Sequence, residues 1–265
     1  MVAIEYLSYS SISMLLDCPE QWRRKYIERQ PVPSAPALIF GSAFHQTVER
    51  IVGYSSLWNE GPEPDLLKTW HEVWASKVTN EGHLVDWGAD TPAQHYNEGV
   101  RIFKVPEVQQ LLADLIPQRN ETGEPTIELK CTLSVPGVPV PVIGYIDIIT
   151  DDGIPGDFKT SAKSWSAAKA EDELQPLFYL AALNQMGRLV PGWKFRHYVV
   201  TKTKTPKVQR IESAHSPDKV FWLFELIQRA WSLIEAEVYP FGPSSWRCSP
   251  RFCPFWTDCR GKTFG

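Results

Sequence analysis

Asp147 and Asp157, with Lys159 two residues beyond the second, are the residues of this 265-residue chain whose types and spacing could do chemistry. They stand in the segments Gly144-Tyr145-Ile146-Asp147 and Asp157-Phe158-Lys159. Two carboxylates and an ammonium group on neighbouring strands can hold a divalent cation against a phosphodiester and balance the charge that develops as the ester is cleaved. Oxygen ligands of this kind favour Mg²⁺ or Mn²⁺ over zinc. The turn between the segments sets their register. Val138 to Ile149 and Ile154 to Phe158 are β-branched and apolar, and Asp151-Asp152-Gly153 between them is a turn signal. With Asp151 and Asp152 in a type I turn and Gly153 in the left-handed position, Thr150 pairs with Ile154 and Asp147 falls opposite Asp157. Directly opposed side chains have Cβ atoms roughly 4.5 to 5.5 Å apart. Two bare carboxylates at that distance repel, which favours a cation between them. Lys159 shares a strand face with Asp157. Taken alone, the same pattern also suits a surface hairpin with a cross-strand ion pair.

The elements that must position these groups follow from the apolar periodicity. Ser10 or Ser11 caps a helix in which Ile12, Leu15, Leu16, Trp22 and Tyr26 form the apolar side, and which carries Cys18. Helices are expected over Ala37 to Val52, Leu66 to Val78 and Pro92 to Leu115, with a Gly- and Pro-containing connection after the first. Strands follow at Ile127 to Val135, Val140 to Ile149 and Ile154 to Phe158. A long helix from Ser164 to Met186 places Gln175 and Tyr179 one turn apart on one side. Strands at Lys194 to Val200 and Val208 to Ile211, a helix from Pro217 to Val238 and an irregular tail complete the chain. The expected class is mixed α/β in one domain, residues 1–265, without internal repeats. Residues 1–120 are mainly helical, 121–240 carry the sheet, and 241–265 form a cysteine-rich tail.

The sequence resembles a known family. His45 in Gly41-Ser42-Ala43-Phe44-His45, Asp147 in its GxxD setting, Asp157-x-Lys159, and Gln175-xxx-Tyr179 reproduce in order the motif series of RecB-like nucleases of the PD-(D/E)XK superfamily. The resemblance spans most of the chain. It implies a restriction-endonuclease-like core, a central mixed sheet flanked by helices with an N-terminal helical elaboration, and a divalent-metal-dependent DNA exonuclease activity. His45, Asp147, Asp157 and the Phe158 carbonyl are then the metal ligands, and Lys159 orients water or balances charge. Gln175 and Tyr179 contact the DNA strand beside the metal. A neutral imidazole at position 45 suits Mn²⁺ better than Mg²⁺. Glu128, on the strand before the hairpin, is a further candidate carboxylate. Without the other motifs, His45, Gln175 and Tyr179 would each read as partly buried core residues.

The cysteines extend the resemblance. Cys18 stands near the beginning of the sequence, and Cys248, Cys253 and Cys259 crowd its last twenty residues. One early and three late cysteines look like the iron-sulfur RecB-like nucleases, which include CRISPR-associated exonucleases and the nuclease domain of AddB. In that group the four thiolates hold a 4Fe-4S cluster that fastens the chain ends together. The four residues separating Cys248 from Cys253 depart from the commonest spacing of two. Structural zinc is the alternative occupant of four thiolates, and a disulfide is the alternative without a metal. Cys131, in a strand-like stretch, is expected as a small core residue.

Composition bounds the rest. A 43% hydrophobic content suffices for a sizeable core. No run of about 18 apolar residues and no secretory pattern stands in the sequence, so a cytoplasmic protein is expected and no membrane partner. The net charge of -4 excludes a nonspecific DNA coat protein and places any nucleic-acid contact on local patches. The candidate patches are Arg23, Arg24 and Lys25, and Lys202, Lys204, Lys207 and Arg210 around a hairpin with Pro206 near its turn. The expected partner is DNA, single-stranded or with free ends, in recombination, repair or phage DNA processing, with a helicase or recombination protein as a further partner. The compact size and lack of a helicase motif fit a stand-alone, phage-encoded nuclease acting in the host cytoplasm. The alternatives are a noncatalytic DNA-binding or assembly protein on the same fold and a structure-specific endonuclease.

Overall fold

The computed structural model describes residues 4–56, 63–188, 190–245 and 247–261. Its elements run in the order β1 (Leu7–Ser8), α1 (Tyr9–Asp17), α2 (Pro19–Tyr26), α3 (Pro36–Ser56), α4 (Leu66–Glu81), α5 (Pro92–Phe103), α6 (Pro106–Asp114), β2 (Ile127–Leu133), β3 (Val142–Ile149), β4 (Pro155–Ser161), α7 (Ala167–Asp172), α8 (Leu174–Gln185), β5 (Lys194–Thr201), β6 (Val208–Ala214) and α9 (Lys219–Glu235). Part of the expected connection after α3, residues 57–62, lies outside the described residues. Among the described residues no helix is long and apolar enough to cross a membrane.

Three helices expected as continuous are interrupted, each near a proline. Cys18 is extended (φ -157°, ψ 97°) because Pro19 disfavours a helical residue before it, and Pro19 then opens α2. Val105 (φ -72°, ψ 123°) separates α5 from α6 ahead of Pro106 in the same way. Glu173 (φ -67°, ψ 129°) separates α7 from α8, since the ring of Pro176 would collide with the Asp172 carbonyl in an unbroken helix. The cap of α1 is Ser8 rather than Ser10 or Ser11: its hydroxyl accepts from the Ser11 amide at 3.1 Å, and Ser11 Oγ accepts from the Ser8 amide at 2.9 Å. Ser8 takes that position because β1 ends there.

The chain divides into two compact units. The first comprises residues 1–33, 131–144 and 217–265. In it β1 runs parallel to the start of β3, pairing Leu7 with Val142, and α1 packs on α2 and α9. Leu15, Trp22, Leu133, Val142 and Ile227 are among its buried apolar residues. Cys131 is fully buried with its Sγ 3.5 Å from the Gly144 carbonyl, a small core residue as expected.

The second unit comprises residues 34–130 and 145–216. Its sheet is mixed: β3 is antiparallel to β4, β4 is parallel to β5, and β5 is antiparallel to β6. Helices flank it on both faces. Alternation along the strands sends Ile148, Phe158, Tyr198 and Val200 into a core with Phe40, Phe44, Val48, Trp70 and Phe103 of the helical layer. On the opposite face Phe195 stacks on Tyr179 of α8, ring centroids 5.9 Å apart. The hairpin between β3 and β4 has the expected register: Gly153 has φ +79°, and the Thr150 amide donates to the Ile154 carbonyl at 3.1 Å.

The helical layer depends on one close approach. A Cβ at Gly99 would lie 2.1 Å from the Trp70 ring, which is fully buried and donates its indole N–H to the Tyr96 carbonyl. Gly99→Ala is therefore expected to lower the unfolding free energy by about 1 to 3 kcal/mol. Gly41→Ala, with open space around its Cβ, should be neutral or stabilise by about 0.5 to 1 kcal/mol. Denaturant unfolding of the two variants checks the pair, and equal stability would contradict the close packing of α5 on Trp70.

Candidate active site

The site forms where β3 and β4 part. Their ladder runs through Ile149↔Pro155 and Ile148↔Gly156, and the next residues in that register are Asp147 and Asp157. There the Asp147 side chain takes the role of a backbone acceptor: its Oδ2 accepts from the Phe158 amide at 2.6 Å. His45 Nδ1 stands 3.2 Å from the same oxygen. His45 comes from α3, where Phe44 and Val48 enter the core and leave His45 and Glu49, one turn apart, on the side toward the carboxylates. Glu128 of β2 completes the group. Its backbone is left-handed (φ +48°), a conformation that costs a residue with a side chain roughly 1 to 2 kcal/mol. His45, Glu128 and Asp147 each offer a ligand atom, and these atoms all lie within 4.8 Å of one another.

Asp157 is 2% exposed and lies beside Lys159, whose Nζ is 2.7 Å from Asp157 Oδ2. Burial and the Asp147 charge push the Asp157 carboxyl up to about 6. Burial, with Asp147 and Glu49 nearby, pushes Glu128 up to about 7. Burial works against protonation of His45 and Lys159, yet the carboxylates prevail and hold both pKa values above their ordinary ones. Lys159 is therefore an ammonium group, and the site carries more acidic than basic groups.

Gln175 and Tyr179 share one side of α8, as their spacing implies. Lys159 Nζ donates to Gln175 Oε1 at 2.8 Å, Gln175 Nε2 donates to Tyr179 OH at 3.0 Å, and Tyr179 OH donates to the Tyr145 carbonyl at 2.6 Å. A cavity of about 560 Å³ opens in front of the carboxylates, lined by Leu38, Ser42, His45, Glu49, Lys77 and Asp147 among others. The amide of Phe158 touches the Asp147 carboxylate, a contact that the expected role of its carbonyl did not include.

The four cysteines of the expected cluster gather in the first unit. Cys18, Cys248, Cys253 and Cys259 line one cavity of about 340 Å³ together with Arg24, Arg247 and Arg260. The Gly242 amide donates to Cys18 Sγ at 3.4 Å, and Arg260 Nη1 lies 3.8 Å from Cys248 Sγ. Burial raises the Cys253 and Cys259 thiols above their ordinary pKa. No disulfide joins any of the five cysteines.

The basic residues expected to grip phosphates differ in what holds them. Arg23 and Arg24 both bind the Glu20 carboxylate, at 2.7 and 2.8 Å, and Arg23 also pairs with Glu28. Lys202, in the β5–β6 connection, lies over the Phe40 ring at 5.0 Å and 4.0 Å from Glu98. Lys204 is exposed in the same connection. Sequence reasoning did not include Glu49 or the Tyr145 carbonyl among the site groups. The His45-xxx-Glu49 spacing could have found the first; nothing in residue type marks a backbone carbonyl.

A family model, the PD-(D/E)XK nuclease superfamily, matches residues 6–260. No curated protein matches the sequence. Among solved structures, a presumed exonuclease from Eubacterium rectale aligns with a TM-score of 0.61 at 12% identity, covering 93% of this chain and 86% of its own. That likeness concerns the fold. The structure of SSO0001 aligns over 99% of this chain and 89% of its own at 13% identity, with a TM-score of 0.43.

The carboxyl shifts give the site a pH signature. A carboxyl whose folded pKa exceeds its unfolded value loses the fold stability as pH rises from the unfolded to the folded value. For Glu128 and Asp157 that window runs from about 4 to about 7. A divalent ion that neutralises these groups removes the cost only where they are ionised. Mn²⁺ should therefore raise the melting temperature more at about pH 8 than at about pH 5.5. Thermal melts with and without Mn²⁺ check this, and an equal shift at both values would contradict ligation by these carboxylates.

Proposed function

The chain belongs to the PD-(D/E)XK nuclease superfamily, and we propose that it is a divalent-metal-dependent DNA exonuclease that hydrolyses phosphodiester bonds at single-stranded ends. The observation that carries this reading is the convergence of His45, Glu128 and Asp147 beside the buried pair of Asp157 and Lys159. One nitrogen and several carboxylate oxygens form a donor set suited to Mg²⁺ or Mn²⁺, and the raised Asp157 and Glu128 carboxyls favour a cation's arrival. His45, Asp147 and Asp157 would hold the ion, with Glu128 and the Phe158 carbonyl as further ligands. A bound ion would supply Lewis-acid activation of water and of the scissile phosphate.

The protein's own groups do the rest. The Phe158 amide fixes the Asp147 carboxylate, so its orientation does not depend on a ligand. Lys159 is a compact ammonium that balances the negative charge growing on the phosphate or orients the attacking water. Lys202 and Lys204 are the candidates for holding the DNA backbone in this unit, and Arg23 and Arg24 in the other. The biological setting in this reading is recombination, repair or phage DNA processing, with a helicase or recombination protein as a partner.

For the cysteines the reading is a 4Fe-4S cluster held by Cys18, Cys248, Cys253 and Cys259. The four cysteines line one cavity of the first unit, which supports a shared metal group there. Arg24, Arg247 and Arg260 around the cavity and the Gly242 amide offer positive charge and a donor to thiolates. A bound cluster would supply a covalent tie between Cys18 and the tail.

The test of the nuclease is cleavage of end-labelled single- and double-stranded DNA by anaerobically purified protein with Mg²⁺ or Mn²⁺. Lys159→Ala should lower turnover by roughly a hundredfold or more while keeping the Mn²⁺ thermal shift. Asp157→Asn should lose both. Metal-dependent cleavage retained in either variant contradicts the assigned roles. For the cluster, the anaerobic protein should show visible sulfide-to-iron absorption and about four irons per chain, both lost in Cys248→Ala. A colourless protein with zinc would replace the cluster by zinc.

A further inference from the structure

Resting on the nuclease reading, we propose that Gln175 and Tyr179 act as positioning residues for Lys159 and do not contact the DNA. Lys159 stands at one end of a relay through Gln175 and Tyr179 to the Tyr145 carbonyl, with steps of 2.8, 3.0 and 2.6 Å. Its two ends fix its direction: an ammonium group can only donate and a backbone carbonyl can only accept. The Tyr179 proton is committed to Tyr145, so the hydroxyl must accept from Gln175, and the amide oxygen is left to face Lys159. Every polar atom of the relay has one compatible role.

The surroundings support this use. Tyr179 is 5% exposed and stacked on Phe195, so its hydroxyl is delivered from the core. Lys159 has a flexible four-carbon stem and three protons. Asp157 Oδ2 pairs with the ammonium at 2.7 Å and Gln175 Oε1 accepts from it at 2.8 Å, so the group is held from two directions. Tyr145 lies two residues before Asp147, in the part of β3 that has left β4. The relay thus links β4 to β3 across the opening that contains Asp147 and Asp157, and it sets Lys159 relative to both carboxylates.

The test is steady-state cleavage of end-labelled single-stranded DNA with Mn²⁺, reading kcat and KM separately in the full chain. Tyr179→Phe keeps the stacked ring and removes the hydroxyl; Gln175→Leu removes both amide functions; Gln175→Glu keeps an acceptor for Lys159. In Tyr179→Phe kcat is expected to fall about tenfold, and in Gln175→Leu about a hundredfold, with KM for DNA within about twofold of wild type. Gln175→Glu should recover most of the kcat lost in Gln175→Leu, and all three should keep the Mn²⁺ thermal shift. DNA contact gives the opposite pattern: KM rises with kcat held, most of all in Gln175→Glu, whose carboxylate repels phosphate. That pattern, or full kcat in Tyr179→Phe and Gln175→Leu, overturns the positioning role while wild-type cleavage leaves the nuclease reading intact. Wild-type protein that cleaves no DNA overturns the nuclease reading itself.

Discussion

Asp147 and Asp157 are carried toward each other by a three-residue turn, and burying these two carboxylates side by side is the constraint that the second unit has to meet. Burial first and the Asp147 charge second raise the Asp157 carboxyl from 3.8 to about 6, which disfavours its ionised form. The groups that offset this cost arrive on three elements. The Phe158 amide and Lys159 come from β4, His45 from α3, and α8 holds Lys159 in turn. The core beneath α3 therefore has a second task. Phe44 and Val48 anchor the helix in the core and so set which side carries His45 and Glu49.

The hairpin was the most legible part of the sequence because its information is local. Asp151-Asp152-Gly153 specifies a turn, the turn specifies a register, and the register brings Asp147 to Asp157. What the register could not reveal is that the ladder stops at Ile148, because a side chain outcompetes the next backbone acceptor for the Phe158 amide. The family motifs located His45, Lys159, Gln175 and Tyr179, and the structure brings all four to one place, with partners that spacing alone left open. Apolar periodicity overran the helix breaks at Cys18, Val105 and Glu173, although Pro19, Pro106 and Pro176 were in plain view.

The break at Cys18 shows a local rule serving a distant partner. Pro19 pulls Cys18 out of the helix and leaves its sulfur facing the Gly242 amide. No side chain fits at position 242: a Cβ there would lie 2.0 Å from the Asp17 carbonyl. Glycine in the tail and proline in the helix pair thus form two halves of one joint, and the arginines around the thiols supply its electrostatic lining.

The first unit is assembled from three separated stretches of chain, and this has a consequence for the order of events on the ribosome. The residues of the second unit end at Ser216, so everything that unit contains has been synthesised while Cys248, Cys253 and Cys259 are still to come. Leu15 and Trp22, buried in the finished protein, must wait for α9 and the tail before their own unit can close. During that interval the nascent chain carries the uncovered apolar side chains of Leu15 and Trp22, while the residues of the second unit are complete. Closure of the first unit is thereby left to residues 217–265, the last of its three stretches to be made.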